Sequence, residues 1–369
     1  MITRRSFVSS GLAAAAATTL PDLTAGAKAP SDSSPAEARG VAIDTLVNSG
    51  PNFDAKKAIE AGLTGAVIDV AMYPRNFPNA INALADWNAA FRRNPLLMKV
   101  LRAGDLMAAK EQKKFGVVLA CQDAQILDAS TASVNDFNIR NLEFFYDLGI
   151  RCLQLTHNER NALGDSFREK SNAGLSYLGE NVVAGMNSLG MLIDLSHCGR
   201  QTTLEAIRLS KRPCAITHAG CYALCPTARN KSDEEIRALA EKGGVTGIFN
   251  MSLWLTKAPT TSINDVVDHI DHVVKVAGID HVSFGSDGPV LKSDLPDETA
   301  LQGMQSYYKR NVGLPGAEWL PMHVNVKELN GPERLARLAD ALSKRGYNAD
   351  AIDKVVGANF ARLFRDVCG

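Results

Sequence analysis

Two histidines and one aspartate end short apolar runs of this sequence, and residues of these types at such positions could share a metal ion. Each of His197, His218 and Asp287 is the last residue of its run. Neighbouring parallel strands lie about 4.8 Å apart, so imidazoles at adjacent strand ends can both reach one ion at about 2.0–2.1 Å. A single strand-end histidine is more often structural. The pair together with Asp287 instead favours a hydrolytic metal site with a position left open for water.

The elements that must position these side chains alternate along the chain. Strands are predicted at 41–43, 65–70, 116–121, 150–155, 191–195, 214–217, 244–249 and 281–285. Helices are predicted at 54–62, 80–101, 136–148, 174–189, 201–209, 233–242 and 263–277. Apolar strands that alternate with helices indicate a parallel sheet covered on both faces, and eight such units predict a (β/α)₈ barrel of the TIM type. An open doubly wound sheet is the alternative, but no G-x-G-x-x-G motif follows the first strand.

Nearly every predicted strand ends on a polar residue that could take part in chemistry. In chain order these residues are Asp44, Asp69, Gln122 with Asp123, His157, His197, His218, Asn250 and Asp287. All C-terminal strand ends of a barrel meet at one face, and active sites are built there. Three of the seven histidines lie at successive strand ends, which is not expected by coincidence. The sequence therefore predicts one shared site at that face.

The composition excludes some partners and bounds the architecture. The 369 residues include 40 Lys+Arg and 40 Asp+Glu, so the net charge is zero and no basic field for nucleic acid exists. The length suits a single α/β-barrel domain, and no segment after the N-terminal region has the roughly 20 apolar residues of a membrane span. The seven cysteines are an odd number, which leaves at least one thiol free unless two chains are linked.

The N-terminus is predicted to be an export signal rather than part of the fold. Arg4 and Arg5 precede a modest Ala-rich apolar stretch at 11–20, and small-residue cleavage patterns follow at 25–29. This order is typical of a twin-arginine signal; a disordered tail and a retained anchor are the alternatives. We therefore expect a signal at 1–29, a linker at 30–39 and a barrel domain at 40–369. The export machinery is the expected partner and the periplasm the expected location.

Several segments resemble the renal-type, or membrane, dipeptidase family of metallopeptidases. The matching segments are 155–158, 192–197, 216–219, 285–287 and 356–364, together with the Arg229-Asn230 pair. Members of that family hold two zinc ions at the mouth of a (β/α)₈ barrel. The resemblance implies metal-dependent hydrolysis of a dipeptide or related small amide.

The resemblance also implies a role for each matching residue. His197 and His218 would hold one zinc ion. His157 would contact the substrate and polarise the scissile carbonyl, and Asp287 would handle the proton that moves from water to the leaving amine. Arg229 would grip the terminal carboxylate of the dipeptide, as guanidinium groups do; the alternative for Arg229 is a surface charge at a helix end.

Three positions depart from the family pattern. The first strand of the family ends in a His-x-Asp pair that binds the other zinc, and Leu46 and Asn48 stand there in this chain. The bridging glutamate after the third family strand is replaced by Gln122. Leucine cannot coordinate a metal, a neutral amide is a poor zinc ligand, and glutamine lacks the charge that balances two cations. We therefore expect one zinc ion rather than two.

Three outcomes remain open for the metal site. His197 and His218 could hold one ion with a carboxylate, or the site could bind a peptide-like ligand without metal or cleavage, or thiols could be recruited. The candidate carboxylates are Asp44, Asp123 and Asp287, and the candidate thiols are Cys121, Cys198, Cys221 and Cys225. The hydrolase is the favoured function. A ligand-binding barrel and another reaction of metal-hydrolase barrels, such as lactone hydrolysis, are the alternatives.

The segment 288–331 is long for a connection without regular structure. It contains four prolines and the aromatic residues Tyr307, Tyr308 and Trp319. Loops of this length are uncommon unless they have a function. We expect a lid or wall over the barrel mouth or a homodimer contact, with a peripheral insertion as the alternative.

Overall fold

A computed structural model describes residues 40–71, 73–128, 139–292 and 323–369, with the short stretches 298–299, 301–303 and residue 306. The predicted signal and linker lie outside these residues. So does most of the segment 288–331, including Tyr307, Tyr308 and Trp319. No helix in the described ranges has the length and apolar character needed to cross a bilayer.

Eight parallel strands form a barrel, and a ninth short strand lies outside the ring. The strands are β1 (Ile43–Val47), β2 (Gly65–Asp69), β3 (Leu97–Lys99), β4 (Phe115–Cys121), β5 (Ile150–Gln154), β6 (Leu192–Asp194), β7 (Ala215–Ala219), β8 (Val245–Ile248) and β9 (Val282–Phe284). Their order is β1-β2-β4-β5-β6-β7-β8-β9, and β3 pairs with β4 outside this path. The ring closes just after β9, where Asp287 N–H donates to Leu46 O at 2.9 Å and Asn48 N–H donates to Gly288 O at 2.8 Å. The predicted barrel is confirmed, and the open-sheet alternative is wrong.

Helices cover the outside of the barrel. They are α1 (Ala55–Glu60), α2 (Phe77–Arg93), α3 (Ala103–Glu111), α4 (Ile139–Asp147), α5 (Tyr177–Leu189), α6 (Arg200–Leu209), α7 (Asp233–Glu241), α8 (Ser252–Leu255), α9 (Ile263–Ala277), α10 (Arg334–Arg345), α11 (Ala349–Asp353) and α12 (Asn359–Cys368). Local sequence fixes several of their ends. Ser232 and Ser262 cap α7 and α9 in capping boxes, which satisfy N–H groups that the first turn leaves unpaired.

The last helix closes the N-terminal end of the barrel. Phe360 and Phe364 of α12 pack into the same buried cluster as Val67 and Val118 of the barrel strands. Arg362 Nη1 donates to Gly243 O, just before β8, at 3.0 Å. Burial of each such aromatic side chain stabilises the fold by roughly 1.5–3 kcal/mol. With this end plugged, the opposite end is left to carry the site.

The structure corrects two predicted elements. The helix predicted at 80–101 ends at Arg93, because Pro95 disfavours helical geometry in the residue before it. Residues 97–99 instead form β3 against residues 115–117 of β4. The first strand extends to Val47 and so places Asp44 inside it rather than at its end.

Asp44 is consequently not available as a metal ligand. Its carboxylate accepts from Arg334 Nη1 at 2.9 Å and from the Ser286 N–H at 2.7 Å. Burial raises the pKa of Asp44, and the neighbouring Arg334 opposes that rise. The pair therefore anchors α10 to the closing seam between β1 and β9.

Candidate active site at the barrel mouth

Two histidines face each other at the C-terminal strand ends. His197 follows β6 and His218 lies in β7, and their Nε2 atoms are 2.9 Å apart. Both side chains are buried. Burial lowers the pKa of both imidazoles well below its usual value, and the charge of Arg229 lowers it further. Both rings are therefore neutral at neutral pH, which is the state that binds a metal.

Hydrogen bonds on the far side of each ring fix the positions of the ring protons. His197 Nδ1 lies 3.0 Å from Asn158 Oδ1, which can only accept. His218 Nδ1 lies 2.8 Å from the Thr217 hydroxyl, and that hydroxyl donates its proton to Asp194 Oδ2 at 2.7 Å. Both Nδ1 atoms therefore carry the proton, and both Nε2 atoms present a lone pair.

Two lone pairs at this separation repel unless a cation binds them. Two nitrogens bound to a tetrahedral zinc at about 2.0–2.1 Å would lie roughly 3.3 Å apart, close to the 2.9 Å between the Nε2 atoms of His197 and His218. The donor pair fits one metal ion. Within the described ranges, no group of three or more His, Cys, Asp or Glu residues is placed to hold a metal.

The positions that the resemblance assigns to the other zinc do not fit an ion. Leu46 is buried in the barrel interior. Gln122 Nε2 donates to Asn48 Oδ1 at 3.0 Å and to Asp69 Oδ2 at 3.2 Å. Asn48 Nδ2 donates to Asp287 Oδ1 at 2.8 Å. The amide N–H groups of Gln122 and Asn48 thus donate to the carboxylates of Asp69 and Asp287, whose lone pairs a second cation would need.

Asp287 lies beside this amide pair, just past β9. Its backbone adopts a left-handed conformation with φ of 56°. Burial raises the pKa of Asp287 to about 6, although Arg229 and the hydrogen bond from Asn48 oppose the rise. A carboxyl group with such a pKa can both accept and release a proton near neutral pH.

His157 stacks on the ring of His197. Its ring centroid is 4.2 Å from that of His197, with 24° between the planes. Its Nδ1 lies 2.6 Å from the Tyr73 hydroxyl, and that oxygen accepts from Asn158 Nδ2 at 3.1 Å. The Tyr73 proton therefore points at Nδ1, and the proton of the neutral imidazole sits on Nε2. Burial, with Arg75 and Arg229 nearby, holds the pKa of His157 well below its usual value, so this ring is a neutral N–H donor.

Arg229 is a buried cation and not the surface charge of the alternative interpretation. It is 1% exposed, and its Nη1 and Nη2 donate to Ser196 O at 2.7 Å and His218 O at 2.9 Å. Its guanidinium carbon lies 5.8 Å from the ring centroid of Phe167 and 5.4 Å from that of Phe249. These contacts hold a fixed positive charge beside both histidines.

Other predicted residues serve the scaffold. Asp123 accepts from the Gln125 N–H at 3.0 Å and from Asn161 Nδ2 at 2.8 Å, and burial raises its pKa to about 6. Asn250 Oδ1 accepts from the Val326 N–H at 3.1 Å. The four candidate thiols are unpaired, and burial raises the pKa of each of them, so they are neutral at neutral pH.

Sequence reasoning missed two residues of the loop after β2. Tyr73 contacts His157 as described, and Arg75 Nη2 lies 2.7 Å from Asp69 Oδ2. The Arg75 guanidinium carbon lies 4.3 Å from the centroid of the Tyr73 ring. The available signal was a Tyr-Pro-Arg sequence shortly after a barrel strand, since such loops build active sites.

Comparison with known proteins agrees with this geometry. Residues 53–302 match the family described as membrane dipeptidase, peptidase family M19. The dipeptidase tcpJ of Claviceps purpurea is 30% identical over 230 residues, which are 61% of this chain and 47% of that protein. The chain thus spans about half the length of the curated relatives it matches first, 47% of each.

Two solved structures from Pseudomonas aeruginosa share the fold. An amidohydrolase is 28% identical with a TM-score of 0.77, and the match covers 90% of this chain and 99% of that one. The probable dipeptidase PvdM is 20% identical with a TM-score of 0.68, and the match covers 89% and 96% respectively. The similarity to PvdM supports the barrel fold alone.

Proposed function

Since the chain belongs to the membrane dipeptidase family, peptidase family M19, we propose that it is a metal-dependent hydrolase of dipeptides or related small amides. The observation that carries this proposal is the pair of Nε2 lone pairs on His197 and His218, 2.9 Å apart. Neutral imidazoles fixed by outer hydrogen bonds are typical of metal ligands. A proton-transfer carboxyl, Asp287, and a neutral N–H donor, His157, complete the functional set.

The proposed ion is zinc, at about one per chain, because two imidazoles suit zinc and leave positions open for water. Bound there, the ion would lower the pKa of its water towards about 7 and so make hydroxide available at neutral pH. A second ion is not proposed, since Asn48 and Gln122 are hydrogen-bonded to each other at 3.0 Å.

The side chains of this chain divide the remaining work. His157 donates its Nε2–H to the oxygen of the scissile carbonyl and so stabilises the negative charge that develops there. Asp287 accepts a proton from the attacking water and passes it to the leaving amine. Arg229 supplies the positive charge that holds the terminal carboxylate of the substrate.

We also propose twin-arginine export and a periplasmic location. The support is the order of Arg4 and Arg5, the Ala-rich stretch and the small-residue patterns in the first 29 residues. Processing at about residue 29 and recovery from the periplasmic fraction would test it, and both would be lost on replacement of the two arginines by lysine.

Hydrolysis of a dipeptide panel in zinc-supplemented buffer tests the enzymatic proposal. The wild-type protein should cleave at least one dipeptide, and the double variant His197→Ala/His218→Ala should lose about 100-fold or more of kcat/KM. His272→Ala on α9 is the matched control and should retain activity. Cleavage of no dipeptide, or an active double variant, would overturn the proposal. Cleavage of lactones alone would move the assignment to another reaction of these barrels.

A further inference from the structure

Arg75 is a buried cation with unused hydrogen-bonding capacity. Its side chain is 6% exposed, and its Nη2 pairs with Asp69 Oδ2 at 2.7 Å. Its Nε and Nη1 atoms have no hydrogen-bond partner among the described residues, and these atoms carry three of the five N–H donors of a guanidinium group. Buried N–H groups of a cation are almost always satisfied, so these donors, open among the described residues, can take an acceptor from a bound ligand.

A second side chain, Gln122, bonds to the same oxygen of Asp69 and carries an open acceptor. Gln122 Nε2 donates to Asp69 Oδ2 at 3.2 Å, while the buried Gln122 Oε1 has no partner within the part of the chain that the structure describes. Asp69 therefore binds both Arg75 and Gln122. Among the described residues, Arg75 keeps open donors and Gln122 keeps an open acceptor, Oε1. A ligand that matches the two must present an anionic oxygen together with an N–H group.

Arg75 and Gln122 lie next to the side chains that the proposed function uses, His157 and Asp287. The ring of Tyr73 lies over Arg75, with 4.3 Å from its centroid to the guanidinium carbon, and its hydroxyl lies 2.6 Å from His157 Nδ1. Gln122 contacts Asn48, which contacts Asp287. A ligand whose scissile carbonyl meets His157 can therefore extend to Arg75 and Gln122.

We propose that Arg75 and Gln122 form a subsite for an acidic N-terminal residue, so that the preferred ligands are dipeptides that begin with aspartate or glutamate. The side-chain carboxylate accepts from Arg75, and the terminal ammonium donates to Gln122 Oε1. Arg229 holds the other end of the ligand. This inference rests on the proposed function for the orientation of the dipeptide, and it specifies the substrate class.

Binding of non-cleavable isosteres tests the subsite independently of hydrolysis. The probes are Asp-Ala and Asn-Ala with the peptide bond reduced to CH₂–NH, titrated calorimetrically into the full mature protein. Wild type should bind the aspartate probe about tenfold or more tightly than the asparagine probe, because bonds between charged groups are the stronger ones. Arg75→Gln should reduce this ratio to less than about twofold.

Two controls keep the test decisive. If Arg75→Gln does not fold, because the buried Asp69 carboxylate loses its ion pair, the double variant Asp69→Asn/Arg75→Gln removes both charges and takes its place. Ala-Asp and Ala-Asn isosteres should show no dependence on Arg75. The subsite would be overturned if wild type does not prefer the aspartate probe over the asparagine probe, or if this preference survives the loss of Arg75. A preference found only between the Ala-Asp and Ala-Asn probes would also overturn it. An Arg75-dependent preference without cleavage of Asp-Ala would support the subsite while the hydrolytic proposal fails.

Discussion

Replacement of Asp287 by asparagine should increase stability and strongly reduce activity. Burial raises the pKa of Asp287 from 3.8 to about 6, so the folded protein binds this proton more tightly than the unfolded chain does. Stability is therefore lost as pH rises from about 4 to about 6, and the loss persists at higher pH. A rise of about two pH units in pKa corresponds to roughly 3 kcal/mol, an upper bound because the side chain keeps some exposure.

The Asp287→Asn substitution tests the effect of the charge alone, because asparagine fits the backbone conformation at this position. Asp287 has φ of 56°, a region that asparagine tolerates better than other non-glycine residues. The hydrogen bond from Asn48 Nδ2 at 2.8 Å can be kept, since the new side chain retains an amide oxygen. Asp287→Ala is the matched control. It loses that bond and adds left-handed strain of about 1 kcal/mol.

The assay is urea unfolding of both variants and wild type at pH 4 and pH 8, with a chelator present so that metal binding does not contribute. Asp287→Asn should exceed wild type by up to about 3 kcal/mol at pH 8 and by less than about 1 kcal/mol at pH 4. Its kcat/KM should fall about 100-fold or more. An Asp287→Asn variant less stable than wild type at pH 8, or a difference independent of pH, would refute the reasoning.

Two further substitutions test the scaffold and the outer hydrogen bonds. Arg334→Met leaves Asp44 buried without its ion pair and should lower the free energy of unfolding by about 3–5 kcal/mol. Arg345→Met removes two partly exposed ion pairs, with Asp268 and Asp271, and should cost less than about 1 kcal/mol. Urea unfolding compares the two variants, and equal effects would contradict the assignment. Asn158→Ala removes the hydrogen bond to Nδ1 of His197 and should weaken zinc binding about 10–100-fold. Competition with a chromogenic chelator measures the affinity, and an unchanged affinity would show that this hydrogen bond does not orient the ring.

Apolar runs followed by polar residues made the barrel and its mouth predictable. In a parallel barrel, strand order and direction alone bring His197, His218 and Asp287 to one face, and the structure places them there. The boundary errors have local causes. β3 is only three residues long and continues the amphipathic pattern of α2. Asp44 was predicted to end the first strand because its buried partner, Arg334, lies 290 positions away in the sequence.

The polar environment of the site could not be predicted in the same way. The sequence showed that Leu46, Asn48 and Gln122 replace expected ligands, but the chain of amide contacts among Asn48, Gln122 and Asp287 depends on the fold. Tyr73 and Arg75 were missed for the same reason, since loop side chains have no periodicity that reveals their direction. Their contacts with His157 and Asp69 appear only once the path of the loop is known.

Metal content of the purified protein is the most direct test of the central claim, that one ion is held by His197 and His218. Elemental analysis after purification in zinc-supplemented buffer should find about one zinc per chain. The double variant His197→Ala/His218→Ala should retain none. Two zinc ions per chain, or none in the wild type, would contradict the account.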